Sequence, residues 1–308
     1  MQNSDISLLV VDDEFEIREM ICDFLRDSEG YTVLEAESGP QALEILKTSR
    51  VDLVLSDINM PVMKGFDLLK EVREHYPAIK RVLITAYNVE DYLELALKHD
   101  IGNIFVKAAP FNFKELSSCL SNLLNNDFFG LKHYFNSDVE ITEFKINSSK
   151  GLDKDAEKIV EIAGESEKRK RVELVIVELL TNAIFYGMRN ELPDKKETWK
   201  HDFVLPDDKA IAVSVAKDSE KYAISISDLG GRLKKSDVLY WLNRQISRDQ
   251  DGLPLGLYDS HGRGFFIVRK YIDRLIINID QAKRTEVIIV NYYSRTYEGN
   301  KPIYINEI

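Results

Sequence analysis

Cysteine is nearly missing from this chain: its 308 residues include two, Cys22 and Cys119. No disulfide framework of the kind that braces small secreted domains is available. Each cysteine lies in an apolar, periodic stretch and reads as a small core residue. Long apolar runs are missing too. The longest, such as Ser7 to Val11, are strand length, against the ~18 residues a spanning helix takes. No basic stretch followed by an apolar core opens the sequence, so no secretory signal is expected. An excess of positive charge is also lacking. The net charge of -11 gives no general attraction to nucleic acid or to an anionic membrane surface. The cluster from Lys168 to Arg171 is flanked by glutamates and reads as a solvated helix start. These absences predict a cytoplasmic protein with no direct nucleic-acid or membrane partner.

What is present is ordinary globular material, 44% hydrophobic and 30% charged. At ~150 residues per domain, the length suggests two domains, each able to bury its own core. From residue 7 to 107, strand and helix signals alternate. Leu8 to Val11, Tyr31 to Leu34, Leu53 to Leu55, Arg81 to Thr85 and Ile104 to Lys107 read as strands. Between them run helical patterns: Ile17, Met20, Ile21 and Phe24; Ala42 to Leu46; Phe66 to Val72; Tyr92 to Leu97. A last helix carries Phe113, Leu116, Leu120, Leu123 and Leu124. Such alternation predicts an α/β fold, a parallel sheet with helices on both faces.

In sheets of this kind ligands sit at the carboxyl ends of the strands. Asp12 and Asp13 end the first strand, Asp57 the third, Thr85 the fourth and Lys107 the fifth. A single aspartate at a strand end can simply cap the next helix. The whole set in this order is another matter. Crowded carboxylates need a cation, and Mg²⁺ suits a few carboxylates plus waters. One carboxylate can then attack phosphorus, while the hydroxyl and the ammonium hold the new phosphoryl oxygens.

Val10-Val11-Asp12-Asp13, Ser56-Asp57-Ile58-Asn59-Met60-Pro61 with Gly65 following, Ile84-Thr85-Ala86 and Phe105-Val106-Lys107 resemble the signature of bacterial response-regulator receiver domains. The resemblance covers residues 1–125 and implies a flavodoxin-like sheet of order 2-1-3-4-5. It implies that Asp12, Asp13, Asp57 and the backbone of Asn59 bind Mg²⁺, and that Asp57 is the phosphoacceptor. Thr85 and Lys107 would hold the phosphoryl group, and Phe105 would be a switching aromatic. The family usually has proline directly after the lysine; here Ala108 and Ala109 precede Pro110. A partner histidine kinase is implied as phosphodonor.

Residues 126–137 form the join. They include Phe128, Phe129, Tyr134 and Phe135, where a floppy tether would be polar and rich in Gly and Ser. The join is therefore expected to pack on one or both domains.

After it, Thr142, Phe144 and Ile146 alternate as a strand, and Leu152, Ala156, Ile159, Val160 and Ala163 form a helical stripe. Val172 to Tyr186 reads as one long buried helix carrying Glu178 and Asn182 on a single face. Buried, the two need partners, and a satisfied structural pair is the plain alternative. Ile211 to Val215 and Tyr222 to Ile226 alternate as strands, with Asp228 in register and Gly230 and Gly231 following. From Arg232 to Ser260 only a short patch, Val238 to Leu242, looks helical. Gly262-Arg263-Gly264 then opens a helix, and Leu275 to Ile279 and Glu286 to Val290 read as closing strands. Separate helices and an antiparallel sheet predict an α+β sandwich. A Gly-rich turn at a helix start offers N–H groups to phosphates.

Glu178-Leu-Leu-Thr-Asn182 through Gly187, Asp228 with Gly230, and Gly262-Arg263-Gly264 resemble the N, G1 and G2 boxes of the GHKL ATPase superfamily. Within it they are most similar to the anti-sigma factor serine/threonine kinases, over residues 138–293. The resemblance implies that ATP is the cofactor. Asn182 would coordinate Mg²⁺, Asp228 the adenine amino group, and Gly230 would let the chain approach the base. Gly262 and Gly264 would frame the phosphates, with Arg263 as charge partner and Glu178 as general base. Residues 232–260 would be a lid over the nucleotide. Arg232 stands where the family has a second glycine. The tail, 294–308, carries no readable motif.

A histidine kinase would need a helical hairpin with an acceptor histidine ahead of this fold. Only His133 lies between the domains, and His75, His99, His201 and His261 read as single surface or loop residues. The expected function is therefore a response regulator whose phosphorylation at Asp57 controls an anti-sigma-type serine/threonine kinase. Its partners would be a STAS-type antagonist protein, a sigma factor, or both, and homodimerisation is possible for both families. The alternative is a non-catalytic, ATP-dependent protein-binding switch.

Overall fold

The computed structural model describes residues 5–135, 139–190, 203–248, 250, 255–256, 264–293 and 300–308. The chain divides into two compact units, Met1–Asp127 and Phe128–Ile308.

In the first unit the strands are β1 (Ser7–Val11), β2 (Thr32–Ala36), β3 (Leu53–Asp57), β4 (Lys80–Thr85) and β5 (Asn103–Val106). They lie in the order β2-β1-β3-β4-β5, and each pairing is parallel. The helices are α1 (Phe15–Asp23), α2 (Gly39–Thr48), α3 (Gly65–His75), α4 (Leu93–His99) and α5 (Phe113–Asn125). This is the flavodoxin-like order. β3 is buried at every residue, as expected of a central strand covered on both faces. Asn112 starts α5 by accepting from the Glu115 N–H at 3.1 Å, and Asn126 ends it in the left-handed conformation. The α1 stripe differs from expectation. Arg18, Ile21 and Cys22 face inward and Met20 is partly exposed, and the chain continues as a π-helical turn, Phe24–Ser28, that buries Leu25.

In the second unit, β6 (Ile141–Ile146), β7 (Ile211–Lys217), β8 (Lys221–Asp228), β9 (Arg274–Asp280), β10 (Arg284–Tyr292) and β11 (Ile303–Glu307) form a sheet of order β11-β9-β10-β8-β7-β6. The helices are α6 (Leu152–Ala163), α7 (Arg169–Thr181), α8 (Lys235–Ile246) and α9 (Gly264–Tyr271). The predicted α6 stripe is buried throughout.

Four expectations need correcting. The tail is not featureless: β11 pairs parallel to β9 and makes the sheet mixed rather than antiparallel. Its alternation is hard to read because Ile303 to Asn306 are all buried, so both faces are covered. Arg269 fastens it, its guanidinium donating to the carbonyls of Pro302 and Lys301 at 2.8 and 2.6 Å. The short patch near Val238 is the core of a 12-residue helix, α8, which buries Val238, Leu239 and Leu242 and packs on α9 and β11. The long helix is α-helical only to Thr181, and Asn182–Met188 continue as a π-helical turn. Finally, Glu178 and Asn182 are half-buried rather than buried.

Alternation gives the sheet two faces. One, carrying Asp228, Thr285, Val287, Ile277 and Ile305, is the side on which helices pack; a small apolar cavity of the helical layer is lined by Val238, Leu242, Ile277 and Ile305. The other carries Ser225, Asn278, Glu286 and Asn306, the last three facing one another across paired strands. Residues 128–135 lie against this back face. Phe128 and Leu131 are each 2% exposed, and the Arg284 guanidinium sits 3.6 Å from the Phe129 ring centroid.

Candidate functional site

Two rims draw attention, one in each unit. In the first, β1, β3, β4 and β5 end together, so the side chains at their carboxyl ends converge. Lys107 Nζ lies 2.6 Å from Asp57 Oδ1 and 2.8 Å from Asp12 Oδ2. All three groups are nearly fully buried. Burial pushes the Asp12 carboxyl above its ordinary range, and the Lys107 contact only partly offsets that. Burial also pulls the Lys107 ammonium down, but Asp12 and Asp57 outweigh it, so its affinity for the proton rises. The second oxygen of Asp57 accepts from the Asn59 N–H at 2.5 Å. Thr85 is buried; its hydroxyl accepts from the Tyr87 N–H at 3.1 Å, and its carbonyl accepts from the Lys107 N–H at 2.7 Å. Phe105 is turned into the core. The peptide between Ala109 and Pro110 is cis.

Gly65 closes this rim from below. A Cβ there would stand 2.1 Å from the Asp57 carbonyl oxygen, so only glycine lets α3 begin this close to the end of β3. Asp13 does not join the cluster and stays exposed at its edge. Among the described residues no three acidic, histidine or cysteine side chains close on one point. Sequence reasoning missed one participant. The Asn59 side-chain amide donates to the Tyr92 hydroxyl at 2.6 Å, tying this rim to the start of α4, a link with no local sequence signal.

In the second unit, β8 ends in Asp228, which is 5% exposed. Its carboxylate accepts from the Gly230 N–H at 2.8 Å. Burial pushes its pKa up to about 6, against the pull of the Gly230 and Gly231 amides and of Arg232. Gly187 and Gly230 press in on it: a Cβ on Gly187 would meet the Asp228 carboxyl carbon at 2.6 Å, and one on Gly230 the Gly187 carbonyl at 2.1 Å. Arg232, the unexpected residue, donates from Nε to that same Gly187 carbonyl at 3.0 Å. Directly opposite Asp228 on β10 stands Thr285, 4% exposed, with no hydrogen-bond partner for Oγ1 among the described residues. It too escaped sequence reasoning. The available signal was its register one residue before Glu286, which fixes it on the Asp228 face.

Asn182 donates from Nδ2 to Glu178 Oε1 at 3.3 Å. At the start of α9, a Cβ on Gly264 would meet Glu178 Oε1 at 2.5 Å and Asn182 Nδ2 at 3.1 Å. The helix therefore begins against this pair. Gly262, Arg263, His261 and His201 lie outside the described residues, as do 249, 251–254 and 257–260 of the expected lid; Lys235–Ile246 of that segment are the helix α8, packed on α9 and β11. Among the described residues no helix is long and apolar enough to cross a membrane.

The comparisons with known proteins bear on the first unit. The response regulator receiver domain model matches residues 8–120. Sporulation initiation phosphotransferase F of Bacillus subtilis (strain 168) is 32% identical over 117 residues, 38% of this chain and 92% of that protein. Transcriptional regulatory protein ZraR of Klebsiella oxytoca is 36% identical over 124 residues, 40% of this chain, of which the chain spans only 27%. Sensor kinase CckA of Brucella abortus (strain 2308) is 38% identical over 120 residues, 38% of this chain, and the chain spans 12% of it. The shared part is the unit in which Lys107 joins Asp12 to Asp57, and through it this chain belongs to the response regulator receiver family of two-component signalling.

Proposed function

We propose that Asp57 accepts a phosphoryl group from a partner histidine kinase and thereby controls an ATP-binding, anti-sigma-type serine/threonine kinase in the second unit. For the receiver, the supporting observation is the Lys107 ammonium shared by two buried carboxylates. Asp12, Glu14 and Asp57 all lie within reach of the one Lys107 ammonium, with Asp13 exposed at the edge. That donor set fits Mg²⁺, which takes one or two carboxylates plus waters and phosphoryl oxygens. Asp12, Asp13, Asp57 and the backbone of Asn59 would hold it, and bound Mg²⁺ would neutralise charge on the incoming phosphate. Lys107 and Thr85 then serve the phosphoryl oxygens.

For the second unit, one observation carries the reading: a buried carboxylate, Asp228, with two glycines pressed against it, faces a buried hydroxyl, Thr285, that has no hydrogen-bond partner among the described residues. A flat ring with an amino group and an adjacent acceptor satisfies both. That is the hydrogen-bonding edge of adenine. Asn182 and Gly264 would serve the phosphates and their Mg²⁺, with Glu178 as base toward a Ser or Thr hydroxyl on a STAS-type antagonist protein. A sigma factor is the other expected partner.

A second reading is a switch that binds ATP without transferring phosphate. It is favoured by the Glu178 carboxylate already accepting from Asn182 and by Arg232 tying down the loop that glycine would leave mobile. The test is phosphoryl transfer from labelled ATP to a candidate antagonist, in wild type and Asp57→Asn, with and without acetyl phosphate. Label on the antagonist that responds to acetyl phosphate only when Asp57 is intact supports the kinase. ATP binding without transfer supports the switch, and no ATP binding refutes both.

A further inference from the structure

We infer that residues 128–135 form a latch, held by Glu286, through which the receiver regulates the nucleotide pocket of the second unit. This rests on the proposed reading of both units. The latch begins three residues after α5 ends at Asn125, so motion of that helix is passed directly into it by chain connectivity.

The hold is built from buried polar groups. Glu286 is 5% exposed. Its carboxylate accepts from the Gly130 N–H at 3.0 and 3.2 Å, from the Ser225 hydroxyl at 2.7 Å and from the Asn278 amide at 3.0 Å. The Asn278 amide also donates to the Phe128 carbonyl at 2.6 Å, and its oxygen accepts from Asn306 at 2.8 Å. Four strands, β8 to β11, thus share one cluster whose outer contacts are latch backbone. A buried carboxylate that loses such partners is left under-compensated. Docked latch with satisfied Glu286 and released latch with hydrated Glu286 are therefore two discrete states, the kind of element that can carry coupling between sites.

The cluster lies on the back face, but it is one residue from the pocket. Thr285, beside Glu286, faces Asp228, and the Ser227 hydroxyl donates to the Thr285 carbonyl at 3.1 Å. A shift of β10 on releasing Glu286 moves Thr285 relative to Asp228. Here the latch is docked while Lys107 pairs with Asp57 and Asp12. Phosphoryl oxygens on Asp57 would redirect that ammonium, so phosphorylation is expected to favour release.

The test uses the full chain with Mg²⁺ and beryllofluoride, a phosphoryl mimic. Amide hydrogen exchange is followed over 128–135 and β10, with protection around Asp57 reporting that the mimic has bound. ATP affinity is measured in parallel. On binding the mimic, exchange in the latch and β10 should rise about tenfold and ATP affinity should shift several-fold. Gly130 adopts φ +92 with open space where a Cβ would go, so Gly130→Ala strains the backbone without a clash. That variant should show raised latch exchange without the mimic, and the mimic should then shift ATP affinity less than about twofold. Gly30 has φ +73 and equally open space, in the first unit; Gly30→Ala should respond as wild type. Glu286→Gln, which keeps the shape of the cluster, should match Gly130→Ala. Latch exchange that ignores the bound mimic, or a full ATP response in Gly130→Ala, overturns the latch. Latch exchange that responds in a chain with no ATP affinity keeps the latch and removes the ATP reading instead.

Discussion

Asp228→Asn is expected to make the second unit more stable and to abolish the ATP binding proposed for it. Burial moves the Asp228 carboxyl from 3.8 to about 6 in the folded chain. Unfolded, it would titrate near its ordinary value. The folded state therefore carries a penalty for the ionised form that is fully present above about pH 6. The penalty shrinks as pH falls through that value and is gone below 3.8. A difference of this size corresponds to about 3 kcal/mol. Asparagine can accept from the Gly230 amide as the carboxylate does, without the charge. At pH 7.5, relief of that penalty should raise the melting temperature of the second unit by roughly 5–10 °C.

The assay is thermal unfolding of wild type and Asp228→Asn from pH 4.5 to 8, with ATP affinity measured at pH 7.5. The two melting curves should converge as the pH drops below 6, where wild-type Asp228 takes up its proton. A variant that is less stable than wild type at pH 7.5 would refute the electrostatic reasoning, as would a difference independent of pH. A more stable variant that still binds ATP with wild-type affinity would leave the electrostatics intact and remove Asp228 from the binding site.

Thr285→Val should leave the unliganded fold unchanged or up to about 1 kcal/mol more stable, because the buried hydroxyl has no partner to lose among the described residues. It should weaken ATP binding about tenfold, the worth of one hydrogen bond, as read by calorimetric titration. Glu178→Gln should hold ATP affinity within about twofold and lower transfer to an antagonist by about a hundredfold or more; retained transfer in single-turnover labelling would remove Glu178 as base. Gly65→Ala should destabilise the first unit by more than about 2 kcal/mol, since its Cβ meets a backbone oxygen that has nowhere to go. A denaturant curve resolving the two units should show the effect in the first alone.

The receiver was legible because each of its chemical residues ends a strand. A short apolar run followed by Asp57 or Lys107 states both the strand and the place of the side chain. The second unit was less legible where long-range packing decides. β11 lacks alternation because both of its faces are covered, and Arg269, 34 residues earlier in the chain than Ile303, supplies its anchor. α8 buries Val238, Leu239 and Leu242 on a narrow stripe, but its Asp, Ser and Asn residues weaken the helical signal. Glu178 and Asn182 were placed on one face correctly by their spacing. Their half-exposure depends on where α9 begins, and Gly264 reaches them across more than 80 residues of chain. Thr285 and Tyr92 illustrate the general limit: a hydroxyl gains its role from the group opposite it, which only register or tertiary contact reveals.

The two rims share a physical logic that bears on why both read as binding sites. A folded protein normally pairs its buried polar groups. At the first rim, Asp12 and Asp57 share a single ammonium, with Asp13 and Glu14 alongside, so negative charge exceeds what Lys107 can balance. At the second, Asp228 accepts from backbone amides but is held at a raised pKa, and Thr285 opposite it has no partner among the described residues. Each is an imbalance of a definite kind, a shortage of cation in one case and of a donor with an adjacent acceptor in the other. Mg²⁺ with phosphate meets the first, and on the proposed reading the edge of adenine would meet the second. Stability selected alone would have placed apolar side chains at Asp228 and Thr285, as it did at neighbouring Ile226 and Val287 on the same face. That these two polar groups stand opposite each other, on adjacent strands in register, is what selection for a ligand would leave.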